Sequence, residues 1–264
     1  MKGINLIDSH CHLGFENFNN DIEEVALRWR SKGVNKLLHA CCDLSEIPKL
    51  KKIADQFSEV FYSVGLHPLD ARKWGSDSKS ILRKSIKNDN RVVAIGELGL
   101  DLFKCDNKEI QLLALHPQLE LASELDLPVI VHCRDAAEEM IALFKDLSRN
   151  NCCPRGVLHC WSGEPREMEE FLEMGFYISF SGIVTFPKAY KTHDCARLVP
   201  SNKYLVETDS PFLAPVPYRG KRNEPSYVEK VAETIASIRS TDLTTVAKET
   251  SENAEKLFKF ELVK

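Results

Sequence analysis

Val93-Ala94-Ile95-Gly96-Glu97-Leu98-Gly99-Leu100-Asp101 reads as a buried strand that closes on a carboxylate. The apolar run from Val92 to Ile95 predicts a strand ending at Gly96, which delivers Glu97 to the strand's C-terminal end. By itself, a glutamate in that position is an ordinary solvated loop residue. Four other apolar runs end in the same way, however. Ile4 to Ile7 runs into Asp8-Ser9-His10-Cys11-His12, and Val129 to Val131 runs into His132. Val157-Leu158 runs into His159, and Tyr204 to Val206 into Glu207-Thr208-Asp209. Packing alone does not explain why each of these short strands closes on His, Glu or Asp. Glu97 lies at the centre of the pattern and is read as a carboxylate bridging two metal ions.

Outward from this stretch, strand and helix signals alternate. Further strands are expected at 34–40, 60–64 and 175–180, which brings the total to eight. Helical spacing of apolar residues predicts helices at 21–31, 44–57, 79–87, 106–125, 136–147, 166–174, 190–198, 226–239 and 243–258. Strands separated by helices pair in parallel through right-handed crossovers. An open doubly wound sheet competes, but it gathers its ligand at one switch point. Here the polar residues come from strands one, four, five, six and eight, which must therefore converge around one axis. The expected fold is a single (β/α)8 TIM barrel with its metal site at the C-terminal ends of the strands. No internal repeat, linker or low-complexity segment divides residues 1–264, so one domain is expected.

Composition narrows the function classes. The chain has 264 residues, 43% of them hydrophobic and 28% charged, as in ordinary globular proteins. A net charge of −4 argues against a protein that coats nucleic acid through a basic surface, but not against a nucleic-acid enzyme. No run approaches the ~18 apolar residues of a membrane span. The start, Met1-Lys2-Gly3-Ile4-Asn5-Leu6-Ile7-Asp8, turns polar too soon for a signal peptide, so a cytoplasmic location is expected. No feature calls for an obligate protein partner, and a monomer is expected. The nine cysteines form no C-x-x-C and are read as free thiols. Cys11, Cys133 and Cys160 each adjoin a proposed histidine ligand. A neighbour at i+1 in a strand faces away, so packing roles are expected for them.

His10 and His12 are two residues apart, and strand alternation points both to one face. Two imidazoles on one face suit Zn2+, Mn2+ or Fe2+. Asp8 is either their hydrogen-bonding partner or a strand cap. His132 and His159 each follow a buried run, where a lone histidine is commonly just hydrogen-bonded. Asp209 can equally cap the turn that follows it. Together, four histidines and two carboxylates at strand ends fit a two-metal hydrolase, whose ions lie about 3.5–4 Å apart across a bridging carboxylate.

These motifs resemble the TatD family of metal-dependent deoxyribonucleases, within the amidohydrolase-like barrels. The resemblance is carried by Asp8-Ser9-His10-Cys11-His12, Gly65-Leu66-His67-Pro68, Gly96-Glu97-Leu98-Gly99-Leu100-Asp101 and His132-Cys133-Arg134-Asp135-Ala136. It continues through His159-Cys160-Trp161-Ser162-Gly163, the run from Glu207 to Pro215, and Tyr218-Arg219-Gly220-Lys221-Arg222-Asn223-Glu224-Pro225. It implies that His10, His12 and Asp209 hold one ion, His132 and His159 the other, and that Glu97 bridges. It further implies two Mg2+, Mn2+ or Zn2+ ions, trimming of DNA from the 3′ end, and a phosphate-touching role for His67. Without the resemblance, His67 is a turn residue held by Pro68. Family members often carry a tyrosine pair where this chain has Leu102-Phe103.

The expected activity is therefore a metal-dependent DNase, a 3′-to-5′ exonuclease on single-stranded DNA, with RNA as a second candidate substrate. Two cations neutralise the diester's charge and supply the nucleophile, and Asp209 is placed to orient the water or take its proton. Arg219, Lys221 and Arg222 form a basic cluster read either as a grip on flanking phosphates or as a solvated loop. Arg134 and Lys104 are the next candidates for that grip. The alternative enzyme is an ester hydrolase such as a D-aminoacyl-tRNA deacylase, because the ligands activate water without recognising the scissile bond. A non-catalytic metal or nucleic-acid binder is the third reading. The complete set of six ligands argues against it.

Overall fold

Each apolar run forms a strand, and each strand is followed by a helix that packs back on it. The computed structural model describes residues 4–103, 105 and 107–260. Lys104 lies outside them. The order is β1 (Leu6–Cys11), α1 (Ile22–Ser31), β2 (Val34–His39), α2 (Ile47–Gln56), β3 (Val60–Val64), α3 (Ser78–Asn88), β4 (Val92–Asp101) and α4 (Lys108–Glu124). It continues with β5 (Val129–Arg134), α5 (Ala137–Arg149), β6 (Gly156–Leu158), α6 (Pro165–Glu173), β7 (Tyr177–Phe180), α7 (Tyr190–Leu198), β8 (Tyr204–Val206), α8 (Val228–Ile238) and α9 (Leu243–Phe258). The strands pair in chain order, all in parallel, as a (β/α)8 barrel requires. No helix among the described residues is long and apolar enough to cross a membrane.

Period-2 alternation divides the core. Ile7, Leu38, Phe61, Val93, Ile130, Val157, Tyr177 and Leu205, one from each strand, meet in a single cluster inside the barrel. Leu257 and Phe258 of α9, together with Phe260, join that cluster and plug the end of the barrel where the strands begin. Truncating one of these side chains to alanine should cost roughly 2–5 kcal/mol, the usual range for a filled core. Towards the other end the interior turns polar. Ser9 and Ser179 Oγ lie 3.1 Å apart, and Ser63 Oγ donates to Gly96 O at 2.6 Å. The candidate ligands stand above this hydroxyl layer.

β1 and β8 do not close the barrel through a regular ladder. The segment after β8 does so instead, with Asp209 N donating to His10 O at 2.9 Å and His12 N to Ser210 O at 2.7 Å. Asp8 completes the seam by accepting from Thr208 N at 2.9 Å and Thr208 Oγ1 at 2.6 Å.

β4 departs from its expected end. It runs through Gly96 to Asp101, with a register shift against β5 between Ile95 and Leu98. Glycine permits this rather than stopping it. Gly99 has φ 144°, and a Cβ there would lie 1.9 Å from His132 O. The first turn of the expected 44–57 helix is instead a 3-10 turn, Leu44–Glu46, capped by Asp43, whose carboxylate accepts from Ser45 N at 2.8 Å. Pro117 lies inside α4 without ending it.

Candidate metal centre

All six proposed ligands converge at the C-terminal mouth. Glu97 stands at their middle and is almost fully buried. Its Oε2 lies 3.4 Å from His10 Nε2 and 3.9 Å from His12 Nε2. Its Oε1 lies 2.8 Å from both His132 Nδ1 and His159 Nε2. One carboxylate oxygen thus faces each pair of histidines. Asp209 Oδ1 lies 3.3 Å from His12 Nε2 and 3.6 Å from His10 Nε2. The left-handed φ of 57° at Asp209 turns the chain as it leaves β8. His10 also stacks on His159, centroids 4.1 Å apart.

Outer hydrogen bonds decide which ring nitrogens are free. Ala40 O, which can only accept, lies 3.2 Å from His12 Nδ1, so Nδ1 carries the proton and Nε2 is a bare lone pair. Asp101 Oδ2 lies 3.0 Å from His132 Nε2 and fixes its proton there, which bares Nδ1 towards Glu97. The bare His12 Nε2 therefore lies 3.1 Å from His10 Nε2, and the bare His132 Nδ1 3.2 Å from His159 Nε2, with carboxylate oxygens close to both. Acceptors packed this closely in a buried site favour a shared positive charge. The donor set fits a divalent ion, and among the described residues four groupings each bring three donors together: His10–His12–Asp209, His10–Glu97–His159, His12–Cys42–Glu97 and His67–Glu97–His132.

Without a metal ion, protons on the histidines offset the carboxylates. Burial opposes ionisation of Glu97, yet His159 and His67 hold its carboxyl well below the usual range. Burial likewise opposes charge on Asp209, but the neighbouring histidines keep it low. Burial disfavours cationic His12, His132 and His159, yet the carboxylates raise all three. His10 is lowered, chiefly by burial and then by His159, and its Nδ1 is buried without a hydrogen-bond partner.

Several neighbours escape a reading by strand ends. Asp101, within β4, orients His132 and is itself held by Phe103 N, which donates to Oδ1 at 3.1 Å. Residues 97 and 101 share one face of a strand by period 2, and that was the available signal. Glu207 Oε1 accepts from Cys160 N at 2.7 Å and lies 3.4 Å from His159 Nδ1. Cys42 Sγ lies 3.7 Å from His12 Nδ1 and 4.0 Å from Glu97 Oε2. Asp8 is not the partner of the His10 and His12 rings. It binds the backbone and hydroxyl of Thr208, and burial pushes its carboxyl up to about 8. Cys11 packs as expected, its thiol directed to Leu38 O. Cys133 and Cys160 instead line the cavity, and Cys160, with φ 49°, lies beyond the regular alternation of β6.

The cavity measures roughly 750 Å³ and exposes His12, His67, Glu97, His132, His159 and Asp209. His67 Nδ1 accepts from Leu69 N at 3.2 Å, so Nε2 carries the proton and points at Glu97 Oε1, 3.3 Å away. His67 is thus an inward-facing donor. Arg134 lines the cavity with its guanidinium 4.0 Å from the Phe103 ring centre. The basic loop does not line it. Arg222 forms a two-pronged pair with Asp21, both contacts at 2.7 Å, and Arg219 lies over Phe186 at 3.8 Å. Arg222 thereby ties this loop to the start of α1. Its neighbour Asn223 is fully buried. Asn223 Nδ2 donates to Thr208 O at 2.8 Å and Phe212 O at 2.6 Å, clamping both sides of the turn that carries Asp209.

The pattern of the family described as TatD related DNase matches residues 7–259. The chain belongs to the TatD family. Among TatD-family relatives, it is 36% identical over 255 residues to the uncharacterized metal-dependent hydrolase YabD of Bacillus subtilis, covering 96% of this chain and 99% of that one. It is 35% identical over 259 residues to the 3′-5′ ssDNA/RNA exonuclease TatD of Citrobacter rodentium, covering 96% and 97%. The crystal structure of YjjV, a TatD homologue from Escherichia coli, superposes with a TM-score of 0.89 at 30% identity, covering 97% of this chain and 98% of that one. The chain is a metal-dependent hydrolase of the TatD family, with the barrel of that family.

Proposed function

We propose that this hydrolase is a metal-dependent DNase that trims single-stranded DNA from the 3′ end, with RNA as a second substrate, and that residues 1–264 act as one catalytic unit. The observation that carries this reading is the division of Glu97, one oxygen toward His10 and His12 and the other toward His132 and His159. His10, His12 and Asp209 would hold one divalent ion, His132 and His159 the other, and Glu97 both. Mg2+, Mn2+ or Zn2+ bound there supplies an activated water and neutralises the charge of a phosphodiester.

The chain's own residues do the rest. Asp209, held in its turn by Asn223, accepts the proton of the attacking water through its carboxylate. Asp101 keeps the His132 proton on Nε2, so that Nδ1 stays bare. His67 offers its Nε2 proton to a phosphate oxygen, and Arg134 at the cavity wall takes a neighbouring phosphate. The Citrobacter relative's name supports polynucleotide ends as the substrate. The test is cleavage of 3′-labelled single-stranded DNA and RNA, beside a charged tRNA, with and without Mg2+ or Mn2+. Stepwise shortening from the 3′ end is expected. Deacylation of the tRNA with the DNA left intact would replace this reading by the ester-hydrolase one.

A further inference from the structure

An aromatic ledge at the mouth of the barrel takes no part in the steps above. Phe15, in the loop after β1, stacks on His12 with ring centres 5.2 Å apart and planes 9° apart. Phe212 meets Phe15 edge-on at 5.6 Å and lies 6.1 Å from His12. Both line the cavity, and Phe212 is nevertheless 50% exposed. Leu213 and Ile183 extend the apolar wall beside them. A phenyl ring left half in water forfeits favourable burial unless a ligand covers it.

The ring is fixed to the chemistry. Phe212 N donates to Asp209 O at 2.9 Å, and Phe212 O accepts from buried Asn223 at 2.6 Å. The turn that presents Asp209 therefore presents Phe212 as well. The ligand this arrangement fits joins an anion, lying on the histidine–carboxylate cluster, to a flat, uncharged ring one group away. A nucleobase joined to its phosphate has that form. A base inside a duplex has both faces covered by its neighbours, whereas a base at the end of a strand has a free face to lay on Phe212.

We propose that Phe15 and Phe212 form a stacking ledge for the terminal nucleobase, which makes the enzyme prefer diesters that carry a base. The proposal rests on the phosphodiester reading of the site, and the experiment separates the two. Thymidine 5′-(p-nitrophenyl) phosphate and methyl p-nitrophenyl phosphate share a leaving group, but only the first carries a base. The wild type should prefer the first through a lower KM. Phe212→Leu, which keeps apolar bulk and removes the flat face, should cut that preference about tenfold, in line with the loss of one base–aromatic stack. Phe212→Trp should retain it. In parallel, a single-stranded oligonucleotide ending in 2-aminopurine should be quenched on binding the wild type and less so on binding Phe212→Leu. If Phe212→Leu slows both diesters in equal proportion and quenches as the wild type does, the ledge is wrong and the phosphodiester reading stands. If the wild type cleaves neither diester with Mg2+ or Mn2+, that reading fails and the ledge falls with it.

Discussion

Replacing Asn223 by alanine should weaken both the fold and the grip on metal, although Asn223 touches no candidate ligand side chain. The amide makes three hydrogen bonds: Nδ2 to Thr208 O at 2.8 Å, Nδ2 to Phe212 O at 2.6 Å, and Oδ1 from Glu224 N at 2.9 Å. At about 1 kcal/mol each, their loss is worth about 3 kcal/mol, and more if a buried carbonyl stays dry without a donor. For a chain of this length that corresponds to a fall of roughly 6–12 °C in Tm. The two carbonyls bracket Asp209, so the freed turn no longer fixes that carboxylate, and affinity for Mn2+ should drop about 10- to 100-fold, as when an outer partner of a metal ligand is lost. Asn223→Asp, which keeps the acceptor but replaces the donor with an oxygen facing two carbonyls, should behave similarly. Thermal unfolding in chelator and calorimetric titration with Mn2+ measure the two effects. If Asn223→Ala melts within ~2 °C of the wild type and binds Mn2+ equally well, the strap does not position Asp209.

Glu97→Ala should abolish metal-dependent cleavage while circular dichroism stays that of the wild type. Full activity under saturating metal would remove Glu97 from the bridging position. Asp101→Asn should lower metal affinity about 10- to 100-fold, because the amide no longer enforces the tautomer that bares His132 Nδ1. Acid should release the metal early. The carboxylates raise His12, His132 and His159, so their protonated forms persist to higher pH than in an ordinary histidine, and protons displace metal from below that point. Affinity for Mn2+ that stays flat as pH falls from 8 to 6 would contradict this. Arg134→Ala should reduce the salt dependence of single-strand binding by a slope of about 0.7, whereas Arg222→Ala should act mainly on the melting temperature. The reverse pattern would return the phosphate grip to the basic loop.

The positions of the candidate ligands were legible because each announces itself locally, as a His, Glu or Asp directly after an apolar run, and a barrel gathers all such positions at one mouth. β4 was misjudged at its end because glycine usually punctuates a strand, whereas Gly99 admits the backbone of β5 at a distance no Cβ would tolerate. The strap was hidden for a different reason. Arg222 meets Asp21 across 201 residues, and nothing near either one names the other. Asp8 looked like a partner for its histidine neighbours, yet its contacts lie 200 residues away on Thr208. Local chemistry could be read, while the pairing of distant charges required the fold.

The seam between the first and last strands has a mechanical consequence. His10 and His12 stand on one side of it and Asp209 on the other, where a regular ladder is missing. A cation held by those three side chains would act as a rivet, cross-linking the two ends of the polypeptide in the way a disulfide constrains a long loop. Occupancy of the site would then set how tightly the barrel is hooped, and divalent ions should raise the temperature at which the first strand peels away.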